Sequence, residues 1–325
     1  MPEAVNWGIL GASQFAQARM APAIHAACGA RLAALASADP AKAAGFRDFC
    51  PDLRVHSSYD ALLADPAIEA VYIPLPNHLH VDWTLKGLAA GKHVLCEKPV
   101  ALRAPEIDRL IAVREATGLL VAEAFMIVHH PQWQRVRDWI GAAEIGALTH
   151  VDVAFTFDNP DPANIRNRPE TGGGSVPDIG VYAYGAVRWA TGAEPVRLTA
   201  QLRRENGVDV FAQVWGDFDG PGGGFSYSAL TSTRLFPRQE VVFQGSRGLI
   251  RLTAPFNAGV FAEARIEMIR AGHATLVETF PGVNQYVRQV EAFCAALRGG
   301  APFAWRLEDA RGTQEMIDRV LASSN

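Results

Sequence analysis

Cysteine is scarce: four residues in 325 (Cys28, Cys50, Cys96, Cys294), far apart and without a C-x-x-C pair. That excludes a disulfide scaffold and a zinc ribbon, and fits reduced thiols in a cytoplasmic protein. No run approaches the roughly 18 uninterrupted apolar residues of a membrane helix. The opening Met-Pro-Glu-Ala-Val-Asn-Trp-Gly lacks the basic-then-apolar order of a secretory signal. Neither charge sign dominates, with 30 basic and 34 acidic side chains and a net charge of −4. Without basic runs, nucleic acid is a poor choice of main partner. Repeats, low-complexity tracts and long linkers are also missing. What remains is an ordinary globular composition, 49% hydrophobic and 20% charged, able to offset its ordering entropy. At roughly 150 residues per domain, the length suggests two domains, each with its own core.

The first third alternates compact apolar runs with helical spacing. Residues 5–10, 32–36, 70–73, 93–96 and 119–122 read as strands, and 13–27, 40–49, 79–90 and 105–116 as helices. Such repetition implies crossover connections and a parallel sheet covered on both faces, an α/β Rossmann-type domain. After about residue 123 the period changes to two. Val151, Val153, Phe155 and Phe157 alternate with polar neighbours, and Val196, Leu198, Ala200 and Leu202 repeat the pattern. Further strands read at 209–218, 225–230, 240–243, 249–252 and 265–269, with helices at 132–140 and 179–190. This is an α+β domain with an open, mostly antiparallel sheet. The expected division is 1–123 and 124–325, with the C-terminal helix able to return to the first domain.

The turn after the first strand runs Gly8-Ile9-Leu10-Gly11-Ala12-Ser13-Gln14-Phe15-Ala16. A dinucleotide fingerprint needs glycine for the tight turn, a small residue where backbone meets pyrophosphate, and another where helix packs on strand. Those positions are Gly11, Ser13 and Ala16. An ordinary strand-turn-helix is the plain alternative. The second strand ends Ala36-Ser37-Ala38-Asp39-Pro40, followed by Lys42. An acidic residue at this end selects NAD, whereas an uncharged one admits a 2′-phosphate. Ser37 at that position leans the reading toward NADP over NAD.

Two further strings are Pro74-Leu75-Pro76-Asn77-His78-Leu79-His80 and Gly91-Lys92-His93-Val94-Leu95-Cys96-Glu97-Lys98-Pro99. With the opening turn they resemble the glucose–fructose oxidoreductase / inositol dehydrogenase / MocA family. Glu123-Ala124-Phe125-Met126, Asn164-Ile165-Arg166 and the stretch from Gly172 through Asp178-Ile179-Gly180-Val181-Tyr182 are similar to the branch of dimeric dihydrodiol dehydrogenase and NADP-dependent xylose dehydrogenase. The resemblance implies a Rossmann domain joined to an open-faced sheet domain, a sugar-like substrate, and a homodimer formed through the C-terminal sheet. Carried over by position, it places Gly11, Ser13, Gln14 and Phe15 at the pyrophosphate and Ser37 at the ribose. It places Leu75, Asn77 and His80 in the cofactor cleft, Glu97 and Lys98 by the nicotinamide, and Lys98, Asp178 and Tyr182 at the catalytic positions. The chain departs from the family at Ser13, where glycine is usual, and at Ala38, where many NADP users carry arginine.

Oxidising an alcohol with a nicotinamide requires removal of the hydroxyl proton as hydride leaves the same carbon. A lysine beside that oxygen stabilises the alkoxide-like transition state, and either Lys98 or Tyr182 can move the proton. Asp178 and Tyr182, four apart, share a face of one helix, with Asp178 orienting substrate. His129-His130 lacks a third ligand at metal spacing, so no metal is expected, and a solvated or interdomain role at the start of the next helix is the simpler reading. Arg166 and Arg168 are either surface charges or clamps for a hydroxyl or phosphate. The run Gly222–Gly224 reads as a hairpin turn. The resulting expectation is an NAD(P)-dependent oxidoreductase acting on a secondary alcohol or hemiacetal of a sugar, cyclitol or diol. An NAD-retaining glycosidase and a non-catalytic dinucleotide-binding regulator share the fold and remain alternatives.

Overall fold

In the computed structural model, which describes residues 3–323, the chain divides into two compact units, 1–129 with 284–311 and 130–283 with 312–325. The division runs at 129/130 instead of the expected 123/124, and a distant segment joins the first unit. The reason is packing: the helix Gln285–Leu297 brings Phe293 to 5.0 Å from the Trp7 ring and Cys294 Sγ to 3.4 Å from Trp7 Nε1. Nothing in the local sequence near 284 announces that partnership.

Among the described residues, the first unit carries a parallel sheet of six strands. They are β1 (Val5–Leu10), β2 (Ala30–Ala36), β3 (Arg54–His56), β4 (Ala70–Ile73), β5 (His93–Cys96) and β6 (Val121–Glu123), in the order β3-β2-β1-β4-β5-β6. Continuous apolar runs are what such strands need, because helices cover both faces; β4 is buried at all four positions. β3 and the short helix Tyr59–Leu63 escape the sequence pattern. Each is under two turns or four residues of signal, and β3 is a half-exposed edge. The first helix opens on a π-helical turn, Ala16–Met20, before the α-helix Ala21–Ala26.

Among the described residues, the second unit carries eight strands: β7 (Leu148–Asp158), β8 (Glu194–Glu205), β9 (Val208–Asp219), β10 (Phe225–Ser232), β11 (Arg234–Gly245), β12 (Gly248–Leu252), β13 (Arg265–Arg270) and β14 (Leu276–Thr279). Their order is β14-β13-β12-β11-β7-β10-β9-β8, antiparallel except for the β7–β10 pair. The inner face buries Val151, Val153, Phe155, Val210, Ala212, Val214, Tyr227, Val241, Phe243 and Ile250. Helices Pro131–Gly141 and Val181–Thr191 belong to the same unit. β8 departs from its expected burial because it is the sheet edge. Its register slips between Pro195 and Arg197, and Val196 is turned out to solvent. β14, short and exposed, was beyond the reach of periodicity.

Of the two histidines given a solvated or interdomain role, His130 is buried and His129 only partly exposed, so the solvated reading of the pair does not hold. His130 Nδ1 accepts the Gln132 amide at 3.1 Å and caps the helix Pro131–Gly141. His129 lies 4.8 Å from the Phe303 ring, and burial pushes its imidazole down to about 4. Among the described residues, no helix is long and apolar enough to cross a membrane.

Candidate active site

Parallel strands end on one edge, and the chain order of the six-stranded sheet reverses between β1 and β4. A crevice opens beyond the carboxyl ends of such strands, and ligands bind there. The segments leaving β1, β2, β4 and β5 carry Gly11 to Phe15, Ser37, Leu75 to His80, and Glu97 with Lys98. The structure therefore gathers on one edge of the first unit every residue assigned to the cofactor.

Gly11 has φ of 111°, and a Cβ there would stand 2.9 Å from Leu75 Cδ2 and 3.4 Å from the Tyr59 hydroxyl. Only glycine fits this backbone. Its amide donates to Ala36 O at 3.0 Å, tying the turn to the end of β2. Ser13 Oγ accepts the Ala16 amide at 3.1 Å as a helix cap, which uses a lone pair and not the hydroxyl proton. Gln14 and Phe15 are exposed, and the Phe15 ring meets Tyr286 at 5.8 Å. A cradle closed to side chains, at the start of a helix, matches what a dinucleotide pyrophosphate requires. Ser37 Oγ donates to Asp39 O at 2.9 Å, and Asp39 Oδ1 takes the Ala41 amide at 2.9 Å. The Asp39 carboxylate is thus engaged as the cap of the helix Pro40–Arg47.

The turn after β5 is held at each step. Glu97 Oε1 accepts the Tyr72 hydroxyl at 2.6 Å and Oε2 accepts the Lys98 amide at 3.3 Å. Burial, with Glu97 beside it, drives the Tyr72 phenol well up, so it stays a donor. His80 has no exposed surface. Its Nδ1 lies 2.7 Å from Pro99 O and its Nε2 2.7 Å from Leu75 O, so the ring joins two loops and does not itself face the cleft. Burial lowers its pKa. Lys98 is half-buried, and the Lys98–Pro99 peptide is cis. Val100 donates its amide to Glu123 Oε1 at 2.9 Å, and Trp305 Nε1 donates to Glu123 Oε2 at 2.9 Å.

In the second unit, Asp178 lies in a π-helical turn, Val176–Gly180, and Tyr182 in the first turn of the helix Val181–Thr191. The expected single α-helix therefore begins with a wider turn, a feature frequent at functional positions. Asp178 is mostly buried, and its Oδ2 accepts from Arg166 Nε at 2.7 Å. Of the two arginines left open by sequence, Arg166 engages the site carboxylate, whereas Arg168 pairs with exposed Glu170. Tyr182 packs 5.8 Å from each of Phe155 and Phe256, which stack at 5.0 Å.

Asp209 anchors the start of this segment, accepting Ser175 Oγ at 2.6 Å and the Val176 amide at 2.8 Å. Gly174 is glycine for the same reason: its φ is 129° and a Cβ would collide with Asp209 Oδ1. Sequence reading gives no role to Asp209, Trp305 or Tyr286, and names Glu123 only within a family string. Asp209 and Glu123 sit on strands where a single acidic residue carries no periodic signal, and the others lie in the distant returning segment. Among the described residues, no group of three His, Cys, Asp or Glu is placed to hold a metal ion.

A family model described as an oxidoreductase family with an NAD-binding Rossmann fold matches residues 5–125, and a GFO/IDH/MocA C-terminal domain model matches residues 133–251. An uncharacterized oxidoreductase of Rhizobium meliloti is 38% identical, over 98% of this chain and 97% of its own. The NADP-dependent D-xylose 1-dehydrogenase 2 of Haloferax volcanii is 34% identical, covering 98% of this chain and 97% of its own. A solved 3-ketoreductase from Actinomadura kijaniata, in complex with NADP and TDP-benzene, superposes with a TM-score of 0.87 at 28% identity, covering 99% of this chain and 98% of that one. With both family domains in sequence, and with full-length relatives at this level of identity, the chain belongs to the GFO/IDH/MocA family and is an NAD(P)-dependent oxidoreductase.

Proposed function

We propose that this protein interconverts a secondary alcohol or hemiacetal of a sugar, cyclitol or diol with its carbonyl form, using NADP in preference to NAD. The observation that carries the reading is Lys98, held by bonds to its neighbours at the end of β5 on the crevice edge that also presents the Gly11 cradle. When bound, the dinucleotide supplies or takes up the hydride. Gly11, Ser13, Gln14 and Phe15 hold its pyrophosphate, and Ser37 stands at the ribose with Leu75 and Asn77 alongside. The NADP preference draws support from Ser37, uncharged, and from Asp39, whose carboxylate is engaged as a helix cap.

Lys98 stabilises negative charge on the reacting oxygen. Tyr182 exchanges the proton of that oxygen, its ring packed against Phe155 and Phe256. Asp178, fixed by Arg166, accepts from a neighbouring substrate hydroxyl and sets which carbon faces the cofactor. The solved reductase offers a parallel. Variants of it replace a lysine and a tyrosine whose spacing along that chain equals the spacing of Lys98 and Tyr182 here.

The protein works as a cytoplasmic homodimer joined through the open face of the eight-stranded sheet. Its free cysteines suit that compartment, and the outer face exposes Trp215 and Ile269 among polar side chains. The test begins with fluorescence titration of NADPH and NADH on purified protein, after a check for retained cofactor. A series of aldoses and diols, D-xylose first, is then followed with NADP at the nicotinamide absorbance. NADPH binding tighter than NADH, with turnover lost in Lys98→Ala and Tyr182→Phe, is expected. Tightly retained NAD with sugar release and no net absorbance change would replace this reading by a glycosidase, and failure to bind either dinucleotide would overturn it.

A further inference from the structure

Burying a carboxylate is costly unless hydrogen bonds compensate, so a carboxylate enclosed outside the reacting groups invites a reason. Glu123, the last residue of β6, is 2% exposed and spends each oxygen on one donor: the Val100 amide and Trp305 Nε1, both at 2.9 Å. The two donors differ in kind. Val100 lies two residues beyond Lys98, and its amide ties the far side of the Lys98 turn to the end of β6. Trp305 comes from the segment that returns to the first unit, and stacks on Phe125 at 4.3 Å, two residues beyond Glu123. Burial raises the Glu123 pKa, while both hydrogen bonds and the Lys98 cation oppose that rise. The ionisable groups around it are Lys98 and Glu97, with Cys96 beside them and His80 against Lys98.

We propose that Glu123, held by Trp305, is the positioning residue that sets the placement of Lys98. The inference rests on the reading of Lys98 as a catalytic residue. On the near side Glu97 holds the Lys98 amide and His80 lies against the Pro99 carbonyl, so three side chains divide the backbone groups of one turn. Glu97 and His80 stand on elements leading into the turn, whereas Glu123 reaches it from the neighbouring strand. It therefore decides how far the lysine backbone stands from the sheet edge. A shift of about 1 Å in a reacting group costs on the order of a hundredfold in rate, so weakening this tie should appear in turnover before it appears in binding.

Glu123→Gln keeps the shape and one acceptor, but presents a donor to Trp305 or to Val100. Trp305→Phe keeps one aromatic ring beside Phe125 and removes the N–H donor together with the pyrrole half of the indole. Turnover is measured per NADPH-binding site with D-xylose, or the fastest aldose of the series above, so that misfolded protein is not counted. Hydrogen exchange of the peptide spanning residues 97–103 and NADPH affinity are read on the same samples. Expected are a fall in kcat per site of about tenfold or more in Glu123→Gln, a smaller fall in Trp305→Phe, faster exchange of the Val100 amide in both, and NADPH affinity within about threefold. Unchanged kcat per site and unchanged exchange in Trp305→Phe, with Lys98→Ala inactive, would overturn the positioning role alone. Full activity in Lys98→Ala would overturn the lysine reading itself, and the positioning role with it. Should Glu123→Gln fail to fold, Trp305→Phe carries the same decision.

Discussion

His129 offers a measurable consequence of burial in the first unit. Its Nε2 is buried without a hydrogen-bond partner, its ring lies against Phe303, and enclosure pushes its pKa from 6.5 down to about 4. Above pH 6.5 the ring is neutral whether the chain is folded or not, so folding gains nothing from it. As pH falls below that value the unfolded chain takes up a proton that the folded one refuses. Stability is therefore fully present above the unfolded pKa and is lost progressively until the folded pKa is reached. A shift of this size is worth about 3 kcal/mol at its limit, and about 2 kcal/mol is gone by pH 5. The matching variant is His129→Leu, similar in volume and unable to ionise. Urea unfolding of both proteins at pH 7.5 and pH 5.0 gives the comparison, and other titrating groups, His80 among them, cancel in the difference. Wild type should lose about 2 kcal/mol more than the variant over that interval. Curves that stay parallel within about 0.5 kcal/mol would refute the reasoning, and would mean that the folded protein admits a proton or a water at Nε2.

Gly11→Ala forces a side chain into a backbone that L-residues rarely adopt and against Leu75, and should weaken NADPH binding about tenfold to a hundredfold. Gly118→Ala, also at positive φ but with open space around it, should leave the affinity within about twofold in the same titration. Asp209→Ala leaves Ser175 Oγ and the Val176 amide buried without their acceptor, and should destabilise the second unit by about 2–5 kcal/mol in urea. NADPH binding should persist in that variant, because the cradle belongs to the first unit. Trp215→Glu places a charge on the outer face of β9, and should disrupt the proposed dimer, read as a lower sedimentation coefficient than wild type in sedimentation velocity.

Much of the fold follows from local pattern. The exact limits of β1, β4 and β5 are readable because short apolar runs between turn residues have one sensible conformation in a sheet covered on both sides. For β7 the alternation picks out Val151, Val153 and Phe155 as inward residues, while the strand runs one residue further at each end than the alternation does. Local pattern also shows a turn that suits glycine at position 11, whereas Lys98, Asp178 and Tyr182 are singled out as catalytic candidates by the family resemblance and not by periodicity.

Other features were settled by contacts between residues far apart in the chain. That the helix Gln285–Leu297 belongs to the first unit depends on Trp7 meeting Phe293 and Cys294, a partnership no periodicity encodes. His80 reads from sequence as a cleft residue, yet two backbone carbonyls, one of them nineteen residues away, claim its ring. Arg166 and Arg168 look alike in the sequence, and only folding gives Asp178 to the first and Glu170 to the second. The sequence by itself determined which residues are proposed to carry the reaction and the strands that end beside them. The tertiary structure decided what holds them still, because hydrogen bonds such as Trp305 to Glu123 join groups that have no reason to meet until the core has formed.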